Sequence, residues 1–153
     1  MCQFFGGLMT RTFKFVLACF SLFMSVGLSA APATRLDSIE ILRVTSVTGA
    51  DEEVGSNTRT VREHHGSDVR VYVLERGYGN PQPNVTFNGQ RLRGESAPVC
   101  NQAEGLVVCN GAGSTVGYLH TFTFSNTDGG RFEFSNVSLV PPHDRLSASL
   151  DIR

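Results

Sequence analysis

The chain is 153 residues long and 41% hydrophobic, enough for one packed core and too little for two. Its 13 Lys plus Arg nearly balance 14 Asp plus Glu, and the two signs are interspersed. No basic stripe exists to release counterions from phosphates, so nucleic acid is excluded as a partner.

The first thirty residues read as a secretory signal. Arg11 and Lys14 precede a nearly unbroken apolar run over residues 15–28, and the small residues Ser29, Ala30 and Ala31 follow. That is the order of an exported precursor. The run is shorter than the roughly 20 residues a membrane-spanning helix needs, so it is expected to be removed, with cleavage after Ala30. Met9 is an alternative start, because residues 9–14 followed by the apolar run already make a complete signal. Cys19 ends a box that resembles a lipidation site, but cutting there would leave most of the apolar run on the product. The expectation is a signal peptide over residues 1–30 and a secreted β domain over residues 31–153. The mature form has no transmembrane segment and works outside the cell or in the periplasm. It keeps 11 arginines and no lysine against 14 acids, a formal charge of −3.

Beyond the signal the chain reads as strands, since short alternating runs recur between clusters of Gly, Asn, Pro and Asp and no 3.6-residue period is sustained. The first run, residues 38–44, carries Ile39 and Ile41 on one face and then switches phase to Leu42 and Val44, which predicts a bulge or a strand buried on both sides. Residues 48–67 are polar and include Asp51-Glu52-Glu53. They predict a long mobile loop, with at most one weak strand around residues 58–62. Val69, Val71 and Val73 alternate with polar or larger residues in a strong strand that ends at Gly77-Tyr78-Gly79. Asn88-Gly89 between residues 84–87 and 90–93 is a two-residue hairpin signal, because both central residues need positive φ.

Cys100 and Cys109 are the two cysteines left after the signal. In an oxidising compartment they are expected to form a disulfide, closing a hairpin that turns at Glu104-Gly105. Their spacing matches neither a CxxC redox pair nor a zinc site. After Gly111-Ala112-Gly113, Val116, Tyr118, His120, Phe122 and Phe124 share one face of what should be a central core strand. A turn at residues 126–130 leads to Phe132 and Phe134, and the two strands are expected to pair and set four Phe over one core. Pro141-Pro142 breaks the chain before a last strand with Leu146, Ala148, Leu150 and Ile152. The fold class is therefore all-β: a single-domain sandwich of eight or nine mostly antiparallel strands with one disulfide hairpin, a closed barrel being the alternative.

Chemistry is sparse. His64 and His65, beside Glu63, are weak metal candidates only, because neighbours on a strand face opposite ways. No metal and no cofactor is expected. His120 sits among apolar residues and reads as a hydrogen-bonded core histidine. Ser114 lacks the Gly-x-Ser-x-Gly spacing of a nucleophile elbow. Surface recognition remains: Tyr78, Asn80 and Gln82 lie in a glycine- and proline-rich loop whose aromatic and amide groups suit polar, adaptable contacts.

Val44-Thr45-Ser46 after the opening strand, Val71-Tyr72-Val73-Leu74-Glu75 leading into Gly77-Tyr78-Gly79, and Val116-Gly117-Tyr118-Leu119 in a late strand resemble the YolA-like family of small secreted bacterial proteins. The resemblance spans most of residues 36–153 and implies a location and an architecture, not an activity. The expected function is that of a secreted, non-catalytic domain binding an extracellular protein, envelope component or glycan. The alternative is a small secreted enzyme or toxin whose site is built from dispersed His, Asp or Ser residues. A cleft that joins His120 to an acid would favour that alternative.

Overall fold

A computed structural model describes residues 34–153 apart from Glu104 and Ala112. The expected signal over residues 1–30, with Cys2, Met9 and Cys19, lies outside the described residues. Ten strands follow one another: β1 Ser38–Ser46, β2 Ala50–Glu53, β3 Gly66–Arg76, β4 Asn84–Phe87, β5 Gln90–Arg91, β6 Gly94–Gln102, β7 Gly105–Val108, β8 Thr115–Asn126, β9 Gly130–Val137 and β10 Arg145–Ile152. They form two antiparallel sheets, one in the order β2-β1-β3-β8-β6-β7 and the other β10-β9-β4-β5. No helix among the described residues is long and apolar enough to cross a membrane. The architecture is the expected sandwich.

The core follows from the period of two. Val69, Val71 and Val73 of β3 and Phe122 and Phe124 of β8 point inward from the larger sheet, against Val85, Phe87, Phe132, Phe134, Leu150 and Ile152 of the smaller. The Phe122 ring lies 5.7 Å from Phe132 and 5.9 Å from Phe134, and Phe124 lies 4.3 Å from Phe87. Aromatic pairs at such separations are worth about 0.5 to 1.5 kcal/mol beyond the area they bury. In β1 the pairing with β3 slips between Ile41 and Arg43, so the phase switch is a bulge. At the hairpin between β4 and β5, Asn88 and Gly89 have φ of 51° and 77°, the pair of left-handed residues that the turn needs.

Three local expectations are corrected. The strands β8 and β9 do not pair. Both edges of β8 are taken, by β3 and by β6, so β9 joins the opposite sheet and the four Phe meet face to face across the core. Asn126 helps the chain to cross: its Oδ1 accepts the Gly129 N–H at 2.9 Å and its Nδ2 donates to the His64 carbonyl at 2.6 Å. The acidic run, expected as loop, forms β2 on β1, with Glu52 turned inward and Asp51 paired outward with Arg43 at 3.2 Å.

Residues 58–62 make no named strand and touch β10 through one isolated bridge, Arg59 to Asp151. Thr60 N–H nevertheless donates to the Asp151 carbonyl, and Asp151 N–H to the Thr58 carbonyl, each at 2.9 Å, so the supposed mobile loop is tied to β10. The expected disulfide between Cys100 and Cys109 is present, with Cα atoms 5.1 Å apart. Cys100 lies opposite Val107, and Cys109 follows the end of β7 with its N–H on the Pro98 carbonyl.

Candidate functional site

At one end of the sandwich the inner face changes from apolar to polar on three strands at once. On β3 the series Val69, Val71, Val73 ends in Glu75. On β8, read towards its start, Phe124 and Phe122 give way to His120. On β9, Phe132 and Phe134 give way to Asn136. The register places His120 beside Val73, one step from Glu75, and stacking of the sheets brings in Asn136 from the other side.

Glu75 is 1% exposed, and its carboxylate is held from two directions. Oε1 accepts the Gly79 N–H at 3.0 Å and Oε2 accepts Asn136 Nδ2–H at 2.7 Å; Asn136 also donates to the Asn80 carbonyl at 3.0 Å. A buried carboxylate needs such donors to offset lost hydration. Glycine is required at position 79 because a Cβ there would lie 2.6 Å from that same Oε1. Gly77, at φ +84°, makes the preceding turn. The glycines of the Gly77-Tyr78-Gly79 motif therefore bring backbone up to a buried acid.

His120 connects this acid to the surface. Its ring is 4% exposed, with Nε2 3.5 Å from Glu75 Oε2 and Nδ1 2.7 Å from Ser96 Oγ. A carboxylate beside Nε2 favours the tautomer that carries its proton there, which leaves Nδ1 to accept from the Ser96 hydroxyl. The short approach of Ser96 has a backbone cause. Pro98 has no N–H to give to β8, and its carbonyl accepts from Cys109 on the opposite edge of β6. Ser96, two residues earlier and paired with His120, is thus at a non-hydrogen-bonded position, where facing side chains lie closest. Its own N–H and C=O point to the same edge as the Pro98 carbonyl, and β7 covers that edge only from Val99 onwards.

A cleft of about 490 Å³ lies beside Ser96, between β6 and β8 of the larger sheet and β4 and β5 of the smaller. Gly94, Ser96, His120 and Phe122 line it from the larger sheet, Val85 and Arg91 from the smaller, with Pro81, Gln82, Pro83, Leu92 and Arg93 from the connections. No acidic side chain is in the lining, and neither arginine has an ion-pair partner among the described residues.

The loop residues expected to bind are separated by the structure. Gln82 is exposed and lines the cleft. Asn80 is exposed and its Oδ1 accepts the Gln82 N–H at 2.9 Å. Tyr78 is half-buried, its hydroxyl donating to the Thr115 carbonyl at 3.1 Å and its ring edge-on to Tyr118 at 6.1 Å.

A second triple of the same residue types sits at the other end of β3. Ser46 Oγ lies 2.9 Å from His64 Nδ1, and His64 Nε2 lies 3.2 Å from Glu52 Oε2. Here the groups are closed off: His64 is 0% exposed, Ser46 also accepts the Gly49 N–H at 2.8 Å, and a Cβ on Gly49 would come within 2.4 Å of the imidazole. Glu52 further accepts the N–H groups of Val61 and Arg62 at 2.6 and 2.8 Å. Burial would raise its pKa, but those two donors together with His64 hold it below the ordinary 4.5. This triple is a staple for residues 54–65. His65, the neighbour of His64, has Nε2 3.6 Å from Glu63 Oε2, and no group of three or more potential metal ligands occurs among the described residues.

Sequence reasoning missed Ser96, Arg91, Arg93, Glu75 and Asn136. The available signal was the polar residue ending each of three otherwise apolar alternations.

No curated protein and no solved structure matches the chain. Residues 31–152 match a family described as a domain of unknown function, DUF4879, and to that family the chain belongs.

Proposed function

We propose that the protein is an exported bacterial domain of the YolA-like kind that binds an extracellular protein, envelope component or glycan. The cleft beside Ser96 would receive a carboxylate-bearing group of that partner. One observation carries this reading: Arg91, Arg93 and Gln82 converge on a recess with no acid in its lining. Guanidinium forks match carboxylate geometry, and an exposed pair contributes up to about 1 kcal/mol. The Ser96 hydroxyl and the Gln82 amide add directional bonds, while Pro81, Pro83 and Leu92 supply an apolar wall, the usual composition of a small-ligand site. Export is supported by Arg11, Lys14 and the apolar run over residues 15–28, and the Cys100 to Cys109 bridge is compatible with an oxidising compartment. The YolA-like placement rests on the three strand motifs quoted above.

The test is a titration of the isotope-labelled protein with trigalacturonate and with an N-acetylated glutamyl dipeptide, with uncharged maltotriose as control. Amide shifts are expected in residues 81–96 and around His120 with at least one of the anionic probes. Replacing Arg91 and Arg93 together by Ala should weaken that binding by about tenfold, as loss of two exposed charge pairs implies. An equal response to maltotriose, shifts centred elsewhere, or silence with both anions would refute the reading. Intact mass of the exported protein checks cleavage after Ala30.

A further inference from the structure

The Ser96, His120 and Glu75 arrangement is more than a recognition surface requires. Its three groups are ordered as nucleophile, base and orienting acid: a hydroxyl exposed in a cleft, an imidazole nitrogen at 2.7 Å, and a buried carboxylate 3.5 Å from the opposite ring nitrogen. A positioned base within hydrogen-bond reach of a hydroxyl, itself oriented by a third group, is the pattern of an activated nucleophile. The comparison within this chain is informative. The Ser46, His64 and Glu52 triple has a similar serine contact and a hydrogen bond between His64 Nε2 and Glu52 at 3.2 Å, where His120 Nε2 only faces Glu75 at 3.5 Å, but it has no cleft, and both oxygens of its carboxylate serve backbone N–H groups of the segment it staples. Glu75 carries its Gly79 and Asn136 donors and still leaves His120 Nε2, buried and without a hydrogen bond of good geometry, facing Oε2.

We infer that Ser96 is an acyl-accepting nucleophile with His120 as its general base, and that the cleft acts on a carboxylic ester carrying a nearby anion. This rests on the cleft being the functional site, as proposed above. In the first half-reaction Ser96 Oγ attacks the ester carbonyl carbon while its proton passes to His120 Nδ1. The bond from that carbon to the leaving alcohol breaks, and the alcohol takes the proton from His120, leaving an acyl group on Ser96. In the second, water attacks the acyl carbon and gives its proton to His120, which returns it to Ser96 Oγ as the carboxylic acid departs. Ester and water become acid and alcohol, with no other reactant. Glu75 is a positioning residue whose carboxylate faces the ring at 3.5 Å and supports the imidazolium formed in each half. Negative charge on the carbonyl oxygen has two sources of relief at hand, the Ser96 N–H, which points to the edge of β6 left open by β7, and the arginines of the mouth.

The test treats the purified, oxidised protein with a fluorophosphonate, which loses fluoride to an activated serine, and locates the adduct by mass spectrometry. A single adduct on Ser96 is expected. His120→Gln should slow labelling by about 100-fold or more, and Ser46→Ala should leave it unchanged. Glu75→Gln should slow labelling of the folded protein about tenfold, and Glu75→Asp should restore part of the rate, a rescue that a merely structural role would not give.

Since His120 is buried, its replacement can unfold the domain, and Ser96→Cys supplies an independent measurement. The thiol of that variant should react with iodoacetamide at neutral pH about tenfold faster than glutathione does, a neighbouring imidazole being able to draw off the thiol proton. An unlabelled Ser96, a labelling rate indifferent to His120, or a thiol of ordinary reactivity in the Ser96→Cys variant would overturn the inference. Those results together with intact anion binding would leave the recognition reading standing. Loss of anion binding as well would remove both.

Discussion

Replacing Glu52 by Gln preserves length and volume but removes the acceptor geometry that holds residues 54–65 in place. The carboxylate takes the Val61 N–H on Oε1 at 2.6 Å, the Arg62 N–H on Oε2 at 2.8 Å, and lies 3.2 Å from His64 Nε2. Glutamine offers one oxygen and one NH2 group, so one backbone N–H must face another donor. Losing a charge-assisted bond costs about 1.5 to 3 kcal/mol, and the orphaned partly buried N–H adds about 1 kcal/mol, for a total of about 2.5 to 4 kcal/mol at neutral pH. Domains of this size have only about 5 to 15 kcal/mol to lose. Urea unfolding at pH 7 measures the difference, and the melting temperature should fall by roughly 8 to 15 °C.

The sign of the pH dependence follows from the lowered pKa of Glu52. A depressed folded-state pKa contributes stability above the ordinary value of 4.5 that is lost as pH falls through the folded value, so wild type and variant should converge in acid. A difference below about 0.5 kcal/mol at pH 7, the size of an ordinary surface effect, would refute the staple. So would a larger difference that does not shrink on acidification.

Phe122→Ala should cost about 3 to 5 kcal/mol by opening a cavity against Phe132 and Phe134, measured by denaturant unfolding, and a loss under about 1 kcal/mol would contradict its core role. Alkylation without reductant should label neither Cys100 nor Cys109, and reducing the bridge should cost about 2 to 3 kcal/mol, the chain-entropy value for a loop this short. Stoichiometric labelling of unreduced protein would overturn the bridge. Tyr78→Phe removes the bond to the Thr115 carbonyl and should cost about 1 kcal/mol of stability while leaving anion binding in the cleft unchanged. A loss of binding without a loss of stability would return Tyr78 to the contact surface.

The elements written into short stretches of chain were legible without the fold. Alternation of Val69, Val71 and Val73, and of Phe122 and Phe124, says which side chains share a face, because a strand has a period of two whatever lies next to it. Asn88-Gly89 specifies its own turn through its backbone dihedrals. Two cysteines with no competitor in residues 31–153 specify their own bridge, although not the register that sets Cys100 opposite Val107.

Alternation does not name a strand's neighbours, since the backbone ladder is nearly blind to side chains and any free edge can accept a strand. Hence Phe132 and Phe134 were assigned the right face and the wrong sheet. For the same reason an apparent loop concealed β2, whose Glu52 looks like one more surface acid until Val61 and Arg62 are folded over it. The candidate site is wholly a tertiary product. Glu75, Ser96, His120 and Asn136 belong to four strands; β3, β8 and β6 bring three of them together by register, and the packing of the sheets brings the fourth. The cleft that exposes Ser96 is walled by strands of both sheets and by the connections beside them, segments far apart in the chain whose meeting no local pattern of residues records.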